Sequence, residues 1–259
     1  ASDTVKEVFK TNKPLSDVAH TKQGLATADN DRFLRLWFEV NKKSIGFNIE
    51  SIGKAKITGK KWFPYNKGGE FRKWYGNQDY VVNWERDGEE IRGNIDAKGK
   101  QRSRPQNTNY YFKPAVSWSF VSSAYLGVRY YPQGFIFDVA GSSLFPKEKN
   151  YGEIIGFLCS PIAPMLMKIL NPTHNFQVGN IEQLPFRQFE NVIAENCIQI
   201  AKKDWDSYET SWDFTQNPLI RTNQPTLQQA YTTWHTQNTQ AVADMKRLEE
   251  ENNKLFIDA

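Results

Sequence analysis

An α+β fold is predicted for this sequence: a twisted, mainly antiparallel sheet with covering helices, followed by a helical spacer that ends in a long C-terminal helix. Three observations predict it. Short segments rich in Val, Ile, Tyr, Phe and Trp, punctuated by Gly, Asn, Pro and Asp, run from Gln23 to about Asn150 and read as strands joined by turns. Residues 152–170 form an apolar stretch at the spacing of a buried helix. From Leu227 to Leu255, apolar positions alternate four and three apart, the period of a helical seam.

Taken in order, residues 1–20 are a helical lead-in: Val5, Val8 and Phe9 share a helix face, and a second turn is expected around Leu15 and Val18. Residues 21–186 form the sheet-rich domain. Its strands include 80–84, 115–121, 127–131 and 134–139. Pro161 and Pro164 predict a kinked or broken helix over 152–170. Residues 187–259 form the spacer. Phe189, Val192, Ile193, Cys197 and Ile200 fall on one face of its first helix, which gives out before Trp212 and the Asn217–Pro218 break. Thr226 with Gln229 makes a capping box for the last helix. Asn238 and Asn252 interrupt its seam, which fits either a coiled coil or an amphipathic helix packed on the same chain.

The 259 residues carry 39% hydrophobic side chains and a net charge of +4, a composition that folds rather than staying disordered. Cys159 and Cys197 stand alone, so neither a disulfide framework nor a zinc site is expected and a cytoplasmic location fits. No apolar run reaches the roughly 18–20 residues that span a bilayer, so no membrane partner is expected. The chain opens on Ala1 and its methionines are Met165, Met167 and Met245, which reads as a segment of a longer protein.

Chemistry-bearing motifs are sparse. The sequence has no phosphate-binding loop, no Gly-flanked nucleophilic serine, and no polar residue followed by two prolines and an aromatic to hold a flipped base. His20, His174 and His235 are scattered. No catalytic or metal site is therefore expected. Glu89 and Glu90 read as solvated turn residues. The positive charge is local: Lys54, Lys56, Lys60, Lys61, Lys67, Arg72 and Lys73 face one acid, Glu70, within 54–73. Cations interleaved with aromatics and glycines suit a nucleic-acid backbone, and equally a hairpin with solvated lysines. Arg102-Ser103-Arg104-Pro105-Gln106-Asn107 carries side chains able to read guanine and adenine edges in the major groove, or forms a polar loop.

Several of these segments resemble, in order, the region that follows the catalytic domain in the PglX family, the adenine-specific DNA methyltransferases of bacterial BREX phage-defence systems. They are 22–37, 61–69, Arg102–Asn107, 127–130, 135–146 and 175–181. The resemblance covers about residues 20–190 and implies a DNA target-recognition domain without the catalytic domain. The parent enzyme would be a site-specific adenine DNA methyltransferase using S-adenosylmethionine, with no cofactor in this segment. The implied partners are double-stranded DNA, the chain's own catalytic methyltransferase domain, and other defence-system proteins or a phage DNA-mimic inhibitor. On this expectation Lys60, Lys61, Lys67, Arg72 and Lys73 position phosphates, while Thr27, Asn30, Arg32, Arg102, Arg104, Gln106 and Asn107 lie near base edges. Ser122, Ser123, Ser142 and Ser143, and likewise Asn175 and Gln177, are expected in turns.

Two other readings compete. A protein-interaction module is favoured by the Leu227–Leu255 seam, and the recognition half of a combined restriction-modification enzyme would share this architecture.

Overall fold

The computed structural model describes residues 2–122, 125–148, 150–188 and 191–258. The expected positions Ser123 and Phe189 lie outside these described residues.

Helix α1 (Asp3–Thr11) is capped by Ser2, whose side chain accepts from Val5 N. The lead-in is helical only this far. A 3-10 turn, Leu15–Asp17, follows strand β1 (Lys13–Pro14), and strand β2 (Ala19–Lys22) comes next. The chain then runs through α2 (Asn30–Phe33), β3 (Leu34–Leu36), α3 (Ile52–Ile57), β4 (Trp62–Asn66), β5 (Tyr80–Asn83), α4 (Glu85–Arg92), β6 (Ala115–Trp118), β7 (Val128–Tyr131), β8 (Ile136–Phe137) and β9 (Ser143–Pro146). Helices α5 (Tyr151–Cys159), α6 (Ile162–Leu170) and α7 (Val178–Glu182), strand β10 (Pro185–Phe186), and helices α8 (Ile193–Trp205), α9 (Pro218–Arg221) and α10 (Leu227–Ile257) complete it.

The mainly antiparallel α+β class holds, with the strands divided between two four-stranded sheets, ordered β2-β9-β6-β7 and β3-β5-β4-β8, and a ribbon of β1 with β10. The second sheet contains a parallel pair, β4 with β8, in register Tyr65 with Ile136. Two cores explain the division. Val116, Trp118, Val128 and Leu144 of the first sheet pack with α5, α6, α8 and the end of α10. Phe63, Tyr65, Val82 and Ile136 of the second pack with Phe33, Trp84, Ile91 and Phe112. Each sheet thus has its own apolar partner layer.

The break in the apolar stretch falls at Ser160–Pro161, where α5 and α6 meet at 72°. No single described helix is long and apolar enough to cross a membrane, and this bent pair lies in the first core through Ile154, Ile155, Leu158, Leu166 and Met167. Helix α10 starts at the expected cap, Thr226 accepting from Gln229 N. Its second half packs on the same chain: Leu248, Asn252 and Phe256 are buried, Asn252 Nδ2 donates to Gly156 O, and Asn191 Nδ2 donates to Asn252 Oδ1. The polar seam position therefore sets the docking of α10 on α5. Leu227, Tyr231 and Val242, in the first half, are exposed.

Candidate nucleic-acid interface

Two of the expected segments are joined at their backbones. Ala26 N donates to Arg104 O (3.1 Å) and Arg104 N donates to Ala26 O (2.8 Å). Strand-like alternation puts Ser103 inward and Arg102 and Arg104 outward. Ser103 Oγ donates to Thr27 O and accepts from Asn94 Nδ2 (2.7 Å), so a buried hydroxyl pins the loop pair. Gln106 Nε2 reaches Gly24 O (3.3 Å) and Asn107 Nδ2 reaches Gln23 O (2.9 Å). Asn107 holds a left-handed conformation, φ 51°, which Asn tolerates better than most residues. The Arg102 and Arg104 guanidinium groups are exposed and have no hydrogen-bond or ion-pair partner among the described residues.

Residues Ala26–Asn30, Lys67, Asp138 and Val139 line a shallow recess beside this loop pair. Thr27 Oγ1 donates to Asn30 Oδ1 (2.5 Å), and Asp29 caps α2 by accepting from Arg32 N (3.1 Å). Lys67 Nζ is held by Asp138 (2.7 Å). Asp138 is itself buried and accepts from Tyr65 OH (2.7 Å) and Ala140 N (2.7 Å). Burial first, and the Asp138 charge next, raise the Tyr65 hydroxyl well above its ordinary value, so it stays a donor.

Glu90 joins a further edge to this surface. It stands between Arg32 (3.8 Å) and Lys61 (3.9 Å), and its Oε1 accepts from Asn83 Nδ2 (3.2 Å). Glu89, its neighbour, pairs with Arg86 instead. Lys60 Nζ donates to Lys43 O (2.6 Å). Through these contacts Asn30 meets Thr27 and Lys67, Arg32 and Lys61 meet at Glu90, and the Ala26 and Arg104 loops are joined at their backbones.

Arg72 and Lys73 go elsewhere. After β4 the chain turns through Gly68 and Gly69 and enters the first sheet's neighbourhood, where Trp74 N donates to Val128 O and Tyr130 N to Trp74 O, both at 2.8 Å. Arg72 lies over the Trp205 ring (4.9 Å) and pairs with Asp204 (3.7 Å). Lys73 pairs with Glu249 (2.6 Å). The basic segment is therefore split, with Lys61 and Lys67 paired to Glu90 and Asp138 and with Arg72 and Lys73 tying down α8 and α10. Nothing local in the sequence signals Asp204 and Glu249 as partners. Glu90, expected as a solvated turn residue, lies in α4 between two cations, and Asp138 was missed, because a carboxylate beside a distant cation leaves no spacing pattern.

The remaining polar candidates are structural. Ser142 and Ser143 donate to Val139 O and Gly141 O, and the Ser122 backbone bonds to His174 O. Asn175 is bridged to Val121 and accepts from Asn171 Nδ2. Gln177 precedes α7 as its N-cap.

No protein-family model matches the chain. Among curated proteins, it is 36% identical over 255 residues to the adenine-specific methyltransferase PglX of Lacticaseibacillus casei (strain Zhang), covering 94% of this chain and 21% of that protein. It is 36% identical over 195 residues to the adenine-specific methyltransferase BrxX of Escherichia coli O9:H4 (strain HS), covering 73% of this chain and 15% of that protein. A solved structure of the Type IIL restriction-modification enzyme MmeI in complex with DNA superposes with a TM-score of 0.49 at 14% identity, over 93% of this chain and 32% of that one. The chain spans about a fifth or less of the length of the curated relatives it matches. By sequence, the chain is a homologue of a segment of the PglX and BrxX family of adenine-specific methyltransferases.

Proposed function

We propose that this chain is the DNA target-recognition segment of a site-specific adenine methyltransferase of bacterial phage defence, with recognition in residues 21–186, the spacer in 187–259 and a lead-in over 1–20. The observation that carries the reading is the pairing of the Ala26 and Arg104 loops, with Arg102 and Arg104 exposed and unpaired among the described residues. Free guanidinium groups on a preformed loop suit phosphate contact or bidentate reading of guanine. In this reading Lys60, Lys61 and Lys67 meet phosphates, and Thr27, Asn30, Arg32, Arg102, Arg104, Gln106 and Asn107 lie near base edges. Arg72 and Lys73 act as ties to the helices.

Methyl transfer would be the work of the rest of the whole protein, with S-adenosylmethionine as its cofactor. The one glycine pair that follows a strand among the described residues, Gly68–Gly69 after β4, is packed closed. A Cβ at Gly68 would lie 2.6 Å from Ala140 O, and one at Gly69 would lie 3.0 Å from Asn77 Nδ2. The exposed first half of α10, with Leu227, Tyr231 and Val242, favours contact with another protein surface as a second role.

Fluorescence-anisotropy binding to a labelled duplex pool at two salt concentrations, with heparin as competitor, tests the reading. Salt-sensitive binding that is lost in an Arg32/Lys61/Arg102/Arg104→Ala variant supports it. No binding by the folded chain turns the reading toward the protein-contact role.

A further inference from the structure

A second recess lies at the seam between the sheet body and the segment after α8. It has a volume of about 220 Å³ and is lined by Phe47, Pro64, Pro132, Phe135 and Trp212, with Tyr75 and Gln78 as its buried polar members. Phe47 and Phe135 approach the Trp212 ring at 5.4 and 5.7 Å between centroids. Lys42 Nζ donates to Trp212 O (2.9 Å) and holds the segment in place. Pockets for drug-sized ligands run from roughly 300 to 1,000 Å³, so this one is the size of a single flat ring system.

Gln78 is 2% exposed, and its Nε2 has no hydrogen-bond partner. Its Oε1 accepts from Tyr75 OH (3.2 Å), and its N–H donors are unused. Burial pushes the Tyr75 hydroxyl up to about 12, with nearby Lys202 opposing, so it remains protonated and a donor. Buried donors are nearly always paired, and one left over beside an aromatic recess calls for an acceptor. The rim is polar, with Lys42, Asn48, Gln133 and Asp213. Lys43, next to Lys42, accepts from Lys60 Nζ, so the mouth lies beside the cationic edge described above.

We propose that this recess binds a nucleobase-sized heteroaromatic ring against Phe47, Phe135 and Trp212, the Gln78 amide turning out of its enclosed position so that Nε2 donates to a carbonyl oxygen of the ring. The ring is that of a free nucleoside or of an unpaired base in DNA; only the second source rests on the DNA-recognition reading.

Saturation-transfer NMR on the 259-residue chain, with thymidine as probe and benzyl alcohol as a ring without a carbonyl, tests this directly and needs no duplex binding. Thymidine is expected to bind saturably at millimolar concentration. Gln78→Leu should weaken it about fivefold, the loss of one hydrogen bond, and leave benzyl alcohol unchanged. Phe47→Ala, at a partly exposed wall position, should weaken both and guards against a Gln78 variant that fails to fold. Competition by a duplex carrying one unpaired thymidine assigns the source to DNA, and competition by free nucleosides alone assigns it to the nucleoside. The proposal is overturned if the folded chain binds no thymidine, or if neither variant changes that binding.

Discussion

Lys73 Nζ and Glu249 Oε1 stand 2.6 Å apart, and Trp74 Nε1, 175 positions from Glu249, donates to the same carboxylate oxygen at 2.6 Å. A cation from the basic segment and the neighbouring buried indole thus converge on α10. Glu249→Ala should leave both donors without their acceptor and cost about 1–3 kcal/mol, read as a lowered urea midpoint. An unchanged midpoint would show that the tie contributes nothing.

The Asn191–Asn252–Gly156 chain fixes α10 on α5. Asn252→Leu should cost about 1–3 kcal/mol by stranding the Asn191 amide and the Gly156 carbonyl. Gly156→Ala should cost at least as much, because its Cβ would lie 2.2 Å from Asn191 Nδ2. A double-mutant cycle of Asn191→Ala with Asn252→Ala should be non-additive by about 0.5–3 kcal/mol. Additivity in urea unfolding would contradict the coupling.

Ser103→Ala should loosen the paired Ala26 and Arg104 loops, since Ser103 Oγ bonds to both Thr27 O and Asn94 Nδ2. Faster hydrogen exchange at the Ala26 and Arg104 amides is the expected signature. Unchanged exchange there would mean the backbone pair stands without the hydroxyl.

Burial is the largest effect on both thiols and pushes Cys159 and Cys197 up to about 12 from an ordinary 9.0. Below pH 9 the thiols are protonated in both folded and unfolded chains, and their contribution is fully present. Between pH 9 and about 12 the unfolded chain releases protons that the folded chain keeps, so stability falls. Urea unfolding at rising pH should show this decline, with iodoacetamide labelling below pH 9 no faster than unfolding. Rapid labelling of the native chain would contradict the burial.

Local chemistry made much of the fold legible. Pro161 and Pro164 announced the break between α5 and α6, and Thr226 announced the start of α10. The division into two sheets was not legible, because β2 pairs with β9 and β4 with β8 across long stretches of sequence. The same limit governed the candidate interface. Side-chain types nominated Arg102 and Arg104, whereas the fates of Arg72 and Lys73 depended on Asp204 and Glu249, which only folding brings near. Asn252 was legible as a polar interruption of an apolar seam, but its partner on α5 was not.

The most direct test of DNA recognition is the slope of log K against log salt for duplex binding by three proteins: the parent chain, the Arg32/Lys61/Arg102/Arg104→Ala variant and the Arg72/Lys73→Ala variant. The first variant should lower the magnitude of the slope by roughly 2 to 4, while the second leaves it unchanged. Equal slopes for the parent chain and the first variant, or a loss confined to the Arg72/Lys73 variant, would contradict the assignment of the interface.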